Sequence, residues 1–161
     1  MQGRILDDYD CRILDCLQRN GRLTNVELST QVFLSPSQCQ RRVKRLEEEG
    51  IIQGYSALLS PEAVGLGVLA FVSVSLAMHG ENPARAFTEA IRDIPEILEC
   101  HAVTGEADYL LRVAAPDLKS FSDFLLHRLM RVPGVTNVRS TIALEELKRT
   151  IALPLRKTAK P

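Results

Sequence analysis

The chain has 161 residues, 45% of them apolar and 25% charged, with acidic and basic side chains in balance at a net charge of zero. That is an ordinary globular composition, enough for one mid-sized domain or two small ones, and it excludes wholesale disorder and a surface that is basic all over. No apolar run is long enough to cross a bilayer, Met1 to Asp10 lacks the apolar core of a secretory leader, and Cys11, Cys16, Cys39 and Cys100 form no C-x-x-C pair, so the chain reads as a cytoplasmic protein with reduced thiols and no membrane partner.

Three helix starts follow one another in the first sixty residues. Asp7 precedes the first helix, with Asp10 in its first turn to complement the helix dipole. Ile13, Leu14 and Leu17 recur at helical spacing, and Asn20-Gly21 stops the helix. Thr24 with Glu27 forms a capping box for the second helix, with Leu23 and Leu28 spaced as a hydrophobic staple. Ser35 with Gln38 repeats the pattern for the third, with Pro36 at the first helical position and Leu34 and Cys39 as the staple. Leu28 and Val32 share one face of the second helix; Cys39, Val43 and Leu46 share one face of the third, which ends at Gly50. One short turn, near Val32 to Ser35, joins these two helices, and a helix-turn-helix is among the few packings that turn allows.

Opposite the apolar stripe of the third helix lie Ser37, Gln38, Arg41, Arg42, Lys44 and Arg45, and Glu47, Glu48 and Glu49 follow. Such a face is either a solvated surface with i,i+4 ion pairs, Arg45 to Glu49 for example, or a reader of nucleic acid. Its position favours the reader: the second helix of a helix-turn-helix presents its N-terminal residues to base edges. Arginine reads guanine bidentately and glutamine reads adenine, while Ser35, Ser37 and the helix N-terminus suit a phosphate. Double-stranded DNA is the expected partner. Ile51 to Leu59 alternates weakly and reads as a strand, a wing or linker that Ser60-Pro61 ends. The domains expected are therefore 1–60 and 61–161.

The second part reads strand, helix, strand, strand, helix, strand. Leu69 to Met78 is a strand with Val72, Val74 and Leu76 on one face. Asn82-Pro83 starts a helix with Phe87, Ala90 and Ile91 inward, ended by Pro95. Ile97 to Val103 is a second strand, Gly105 to Asp108 a turn, and Tyr109 to Ala114 a third strand. Asp117 caps a helix carrying Leu118, Phe121, Leu125 and Leu129; Pro133-Gly134 turns the chain into a fourth strand, Val135 to Leu144. This order is the ferredoxin-like βαββαβ motif, so the whole is an α+β fold. Its helices cover one face of the sheet. Phe71 lies on the face alternate to Val72, so the other face also holds apolar residues, which implies a homo-oligomer, most simply a twofold dimer.

The chain resembles the Lrp/AsnC family of feast/famine regulators over nearly its whole length. The resemblance rests on Leu6-Asp7-x-x-Asp10 with Ile13-Leu14, Gly21-Arg22, Asn25-Val26-Glu27-Leu28, Leu34-Ser35-Pro36-Ser37, Arg41-Arg42-Val43-Lys44-Arg45-Leu46-Glu47 and Gly50-Ile51-Ile52-x-Gly54-Tyr55. In the second part it rests on Val103-Thr104-Gly105-Glu106-Ala107-Asp108-Tyr109-Leu110-Leu111 and Pro133-Gly134-Val135. It implies a winged helix-turn-helix followed by an effector-sensing αβ domain (the RAM domain), dimers that pair further, often into octamers, and an amino acid bound between dimers near the Gly-x-x-Asp turn. By that match His101, Val103, Thr104, Gly105 and Asp108 line the effector pocket, and Ser140, Thr141 and Ile142 approach from a neighbouring subunit. Asp108 suits the effector's ammonium; backbone N–H groups around Gly105 and the Thr104 or Thr141 hydroxyls suit its carboxylate. Gly105 and Asp108 equally suit a plain hairpin turn. A largely apolar lining would fit leucine or methionine.

Two other classes compete. An enzyme is disfavoured: His79, His101 and His127 lack metal spacing, no metal or cofactor is called for, and no nucleophile elbow, P-loop or dinucleotide fingerprint is present. A DNA-free amino acid sensor would have no use for a basic recognition helix. An architectural DNA-binding protein without effector is the remaining alternative.

Overall fold

The computed structural model describes residues 6–77 and 82–155; Met78 and His79, named above, lie outside them. The chain divides into two compact units, with the break between Leu58 and Leu59, and Lys148 onward grouped with the first. The physical reason is a two-way bond: the Gln18 side-chain amide donates to the Leu153 carbonyl at 3.3 Å and accepts from the Leu153 N–H at 2.6 Å, as a neighbouring strand would.

The first unit holds α1 (Asp8–Arg19), α2 (Asn25–Val32) and α3 (Pro36–Glu48). Each begins with a capping box, centred on Asp7, Thr24 and Ser35. Asp10 is thus the reciprocal member of the first box, closing on the Asp7 N–H, as well as an acidic residue near the dipole. A serine or threonine cap of this kind contributes about 1 kcal/mol. Ile13, Leu14, Leu17, Leu28, Val32, Cys39 and Leu46 form the core, with Val43, Ile51 and Ile52 packed against it. The α2–α3 turn is made by Phe33 in the left-handed region (φ 58°, ψ 46°); its N–H and that of Leu34 both donate to the Ser29 carbonyl. That pairing satisfies the carbonyl at the end of α2 and turns the chain sharply into α3.

The strand expected over 51–59 is not formed. Gly50, at φ 66°, lets the chain double back, and the Ile51 and Ile52 N–H groups both donate to the Leu46 carbonyl at 2.9 and 3.0 Å. The apolar residues that looked like strand alternation close the end of α3 instead, and among the described residues no strand pairs with the segment. Tyr55 lies beside Gly21, where an added Cβ would sit 3.2 Å from the ring.

The second unit is β1 (Val68–Leu76), α4 (Pro83–Ile91), β2 (Ile97–Ala102), β3 (Tyr109–Ala115), α5 (Leu118–His127) and β4 (Val135–Ile142). Sheet order is β2-β3-β1-β4, and each pairing among the described residues is antiparallel. This is the expected ferredoxin-like order. Asn82 and Asp117 cap α4 and α5 as expected, each accepting from the N–H three residues on. One face of β1 (Val68, Ala70, Val72, Val74) meets Leu111, Val113, Phe87, Ile91, Phe121 and Phe124 in a single core. Phe87 is fully buried, 4.8 Å between ring centroids from Tyr109. On the alternate face of β1, Phe71 is 41% exposed.

Candidate functional site

The first candidate surface is the outer face of α3. Ser35, Ser37, Gln38, Arg41, Lys44 and Arg45 are exposed, while Arg42 is half-buried. Ser35 and Gln38 are engaged with each other in the capping box, and the Ser37 hydroxyl lies 3.1 Å from that of Ser35. Lys44 makes the i,i+4 pair on this face, 3.6 Å from Glu48, and both groups are largely solvated. Such a pair is worth little and yields readily to a phosphate. Arg41 has no ion-pair partner among the described residues.

Arg42 and Arg45 behave differently. Three residues along a helix is about 300° of turn, which brings Arg42 within about 60° of Cys39, on the flank facing α1 rather than opposite the stripe. Arg42 Nη1 donates to Asp7 at 2.7 Å and to Asp10 at 2.8 Å, and Arg45 Nη2 donates to Asp10 at 2.6 Å. The expected Arg45–Glu49 pair is not what the structure uses. Burial works to raise the Asp7 carboxyl, but the Asp10 N–H and Arg42 outweigh it and hold it below its usual range. Burial likewise works against the Arg42 charge, and its hydrogen bonds to the two carboxylates more than restore it. The spacing of Asp7 and Asp10 on α1 could have hinted at this, but only the α1–α3 packing shows which cations they take.

The second candidate is a groove of about 340 Å³ on the sheet face that carries no helix. The sheet supplies Ser73, Ser75, Leu110, Asn137 and Arg139; the β2–β3 turn supplies Val103, Thr104, Glu106 and Ala107. Across it Arg139 Nη1 donates to Glu106 Oε2 at 3.1 Å, both side chains being largely exposed. A cation and a carboxylate side by side match the two ends of a zwitterion.

Of the eight effector residues expected, Val103 and Thr104 line this groove. Gly105 sits in the turn at φ 121°, a conformation that side chains rarely adopt. Asp108 is occupied locally: its Oδ2 accepts from the Leu76 N–H at 2.7 Å, and its own N–H donates to the Val74 carbonyl. It anchors the turn to β1. His101 lies 3.4 Å from Glu99, whose other oxygen takes Arg112 at 2.6 Å. Ser140 and Ile142 pair opposite Val72 and Ala70, and so lie on the helix-covered side; Thr141 pairs opposite Phe71 on the open face. Glu106, Arg139, Asn137, Ser73 and Ser75 escaped the sequence reading. Strand alternation in β4 separates Asn137, Arg139 and Thr141 from Ser140 and Ile142, but only the register against β1 shows which set faces outward.

Residues 6–53 match the family model of a winged helix-turn-helix DNA-binding domain, and residues 69–153 that of the Lrp/AsnC ligand binding domain. The leucine-responsive regulatory protein of Escherichia coli K12 is 42% identical over 154 residues, covering 96% of this chain and 94% of that one. The chain belongs to the Lrp/AsnC family. Among solved Lrp/AsnC-like structures, a transcriptional regulator of Neisseria meningitidis in complex with L-Met is 49% identical, with TM-score 0.90 over 92% of this chain and 96% of that one. An AsnC family transcriptional regulator from Agrobacterium tumefaciens is 35% identical, with TM-score 0.87 over 92% and 97%. The protein is therefore an Lrp/AsnC-type DNA-binding transcriptional regulator, with the α+β architecture read from the sequence. Among the described residues no helix is long and apolar enough to cross a membrane, and no group of His, Cys, Asp or Glu is placed to hold a metal.

Proposed function

We propose that this regulator couples operator recognition by α3 to the concentration of a free amino acid. Its role is binding rather than catalysis, and a double-stranded DNA partner accords with a cytoplasmic location. Ser37, Gln38, Arg41 and Lys44 carry the contact to double-stranded DNA, with Ser35 setting the start of the helix. The observation behind this reading is that α3 points an exposed, weakly paired basic face outward while its other arginines are tied to α1.

The effector is a small apolar amino acid, leucine or methionine in class; this choice rests on the L-Met complex of the Neisseria relative, because the groove lining is mixed rather than largely apolar. The open sheet face suits a second copy of the chain: Phe71 is exposed there, and such a face gains by being covered. The expected dimer, and its growth to an octamer, belongs to this proposal. The effector's carboxylate meets Arg139 and its ammonium meets Glu106, with Val103 and Thr104 at the turn. Gly105 and Asp108 support the turn, and His101, Ser140, Thr141 and Ile142 remain candidates for contact from a neighbouring copy.

Calorimetric titration with L-methionine and L-leucine, paired with operator binding by fluorescence anisotropy, tests the reading. Wild-type protein should bind one of the two and change its operator affinity in response. Arg139→Ala should lose effector binding by about tenfold or more while keeping operator affinity. Normal titration of Arg139→Ala would remove the groove from the reading; Arg41→Ala binding operator as tightly as wild type would remove α3.

A further inference from the structure

Among the described residues Asp10 is the one buried charged side chain, 1% exposed. Both its carboxylate oxygens are taken by guanidinium groups, Oδ1 by Arg42 and Oδ2 by Arg45. Arg42 is held from two further sides. It donates to Asp7, and its guanidinium carbon lies 5.5 Å from the centre of the Tyr9 ring. Half of the basic residues of α3 are therefore aimed at α1.

This arrangement bears on how tightly a DNA reader holds the wrong sequence. Sequence-independent affinity grows with the number of cations that meet phosphates, each contributing a salt-dependence slope of about 0.9 through released counterions. A cation already matched to a buried carboxylate contributes little to that count. Specificity is the ratio of operator to random-sequence affinity, so removing loose cations from the reading helix raises the ratio. The same two arginines, spaced along one flank, also resist rotation of α3 about its own axis, which keeps Gln38 and Arg41 at one angle to the groove.

We propose that Asp10 is a specificity-determining residue, one that withholds Arg42 and Arg45 from phosphate and locks the bearing of α3. The proposal rests on α3 being the DNA-reading helix.

The test measures binding of the full chain to an operator duplex and to a random-sequence duplex of the same length, across a range of salt. Arg41→Gln should lower the random-sequence slope by about 0.9 for each DNA-bound protomer, as expected for one lost phosphate contact per copy. Arg42→Gln and Arg45→Gln should leave that slope unchanged. Asp10→Asn, which keeps the side-chain size and one acceptor, should steepen it by roughly one to two for each DNA-bound protomer and reduce operator discrimination by about tenfold.

A slope reduced in Arg42→Gln or Arg45→Gln as much as in Arg41→Gln overturns the withholding role and leaves α3 as the reader. A folded Asp10→Asn with unchanged slope and unchanged discrimination also overturns it. If Asp10→Asn does not fold, the two arginine variants still decide, because each leaves Asp10 with one guanidinium and the Asp7 N–H. An Arg41→Gln variant with wild-type affinity for both duplexes removes α3 as the reader, and this inference with it.

Discussion

Replacing Phe33 by glycine should stabilise the helix-turn-helix unit. Phe33 sits at φ 58° and ψ 46°, where a side chain with a Cβ costs about 1–2 kcal/mol. Its ring recovers little of that, being 81% exposed. With full burial of a phenylalanine worth about 1.5–3 kcal/mol, the buried fifth returns roughly 0.3–0.6 kcal/mol. Glycine's greater freedom in the unfolded chain takes back a further 0.4–1 kcal/mol or so. The balance favours glycine by about 0.3–0.4 kcal/mol, or roughly 1–3 °C in the melting temperature of a unit this size. The N–H bonds from residues 33 and 34 to the Ser29 carbonyl need only the backbone, so the angle between α2 and α3 is kept and operator affinity should hold. Phe33→Ala is the control: it keeps the Cβ and its strain while losing the ring. Thermal melts followed by circular dichroism should rank Phe33→Gly above wild type and wild type above Phe33→Ala. An alanine variant melting as high as the glycine variant would refute the argument from backbone strain.

Two further outcomes follow from titrating groups. Asp7 has its carboxyl held below the ordinary 3.8, so the stability it contributes is fully present above that value and is lost as pH falls through the lower folded value. Urea midpoints should begin to drop as pH falls towards 3.8 and keep dropping below it, and Asp7→Asn should shrink that drop; an equal drop in the variant would show that Asp7 is not linked to folding. Tyr55 is pushed up to about 12, by burial first and then by its hydrogen bond to Glu47 at 2.9 Å. Its neutral form is the favoured one in the folded state, so its contribution holds below the ordinary value of 10 and fades as pH rises through the folded one. The ultraviolet absorbance of phenolate should show a late-ionising step that Tyr55→Phe removes, and the same late step persisting in the variant would refute this assignment.

The N-termini of the helices were legible because caps are local. Thr24 with Glu27, Ser35-Pro36 with Gln38, Asn82-Pro83 and Asp117 each act within one turn of their own chain, and each starts a helix where the residues place it. The segment after Gly50 was misread because its two isoleucines satisfy two patterns, strand alternation and packing beneath a helix end. Two N–H bonds to Leu46, and the absence of a pairing strand among the described residues, settle which one holds.

The candidate sites divide along the same line. Local spacing and periodicity determined the element order, the helix-turn-helix, the βαββαβ pattern and a basic third helix, since these depend on neighbours a few residues away. Which arginines of that helix remain available depends on Asp10, more than thirty residues distant, and no local rule reports it. Likewise the turn after β2 marked itself by its glycine, but Asp108 proved to serve the Leu76 backbone while Glu106 met Arg139. Strand alternation sorts side chains into two sets; only the antiparallel pairing of β1 with β3 and β4 shows which residues share the core-facing set and which are left on the open face.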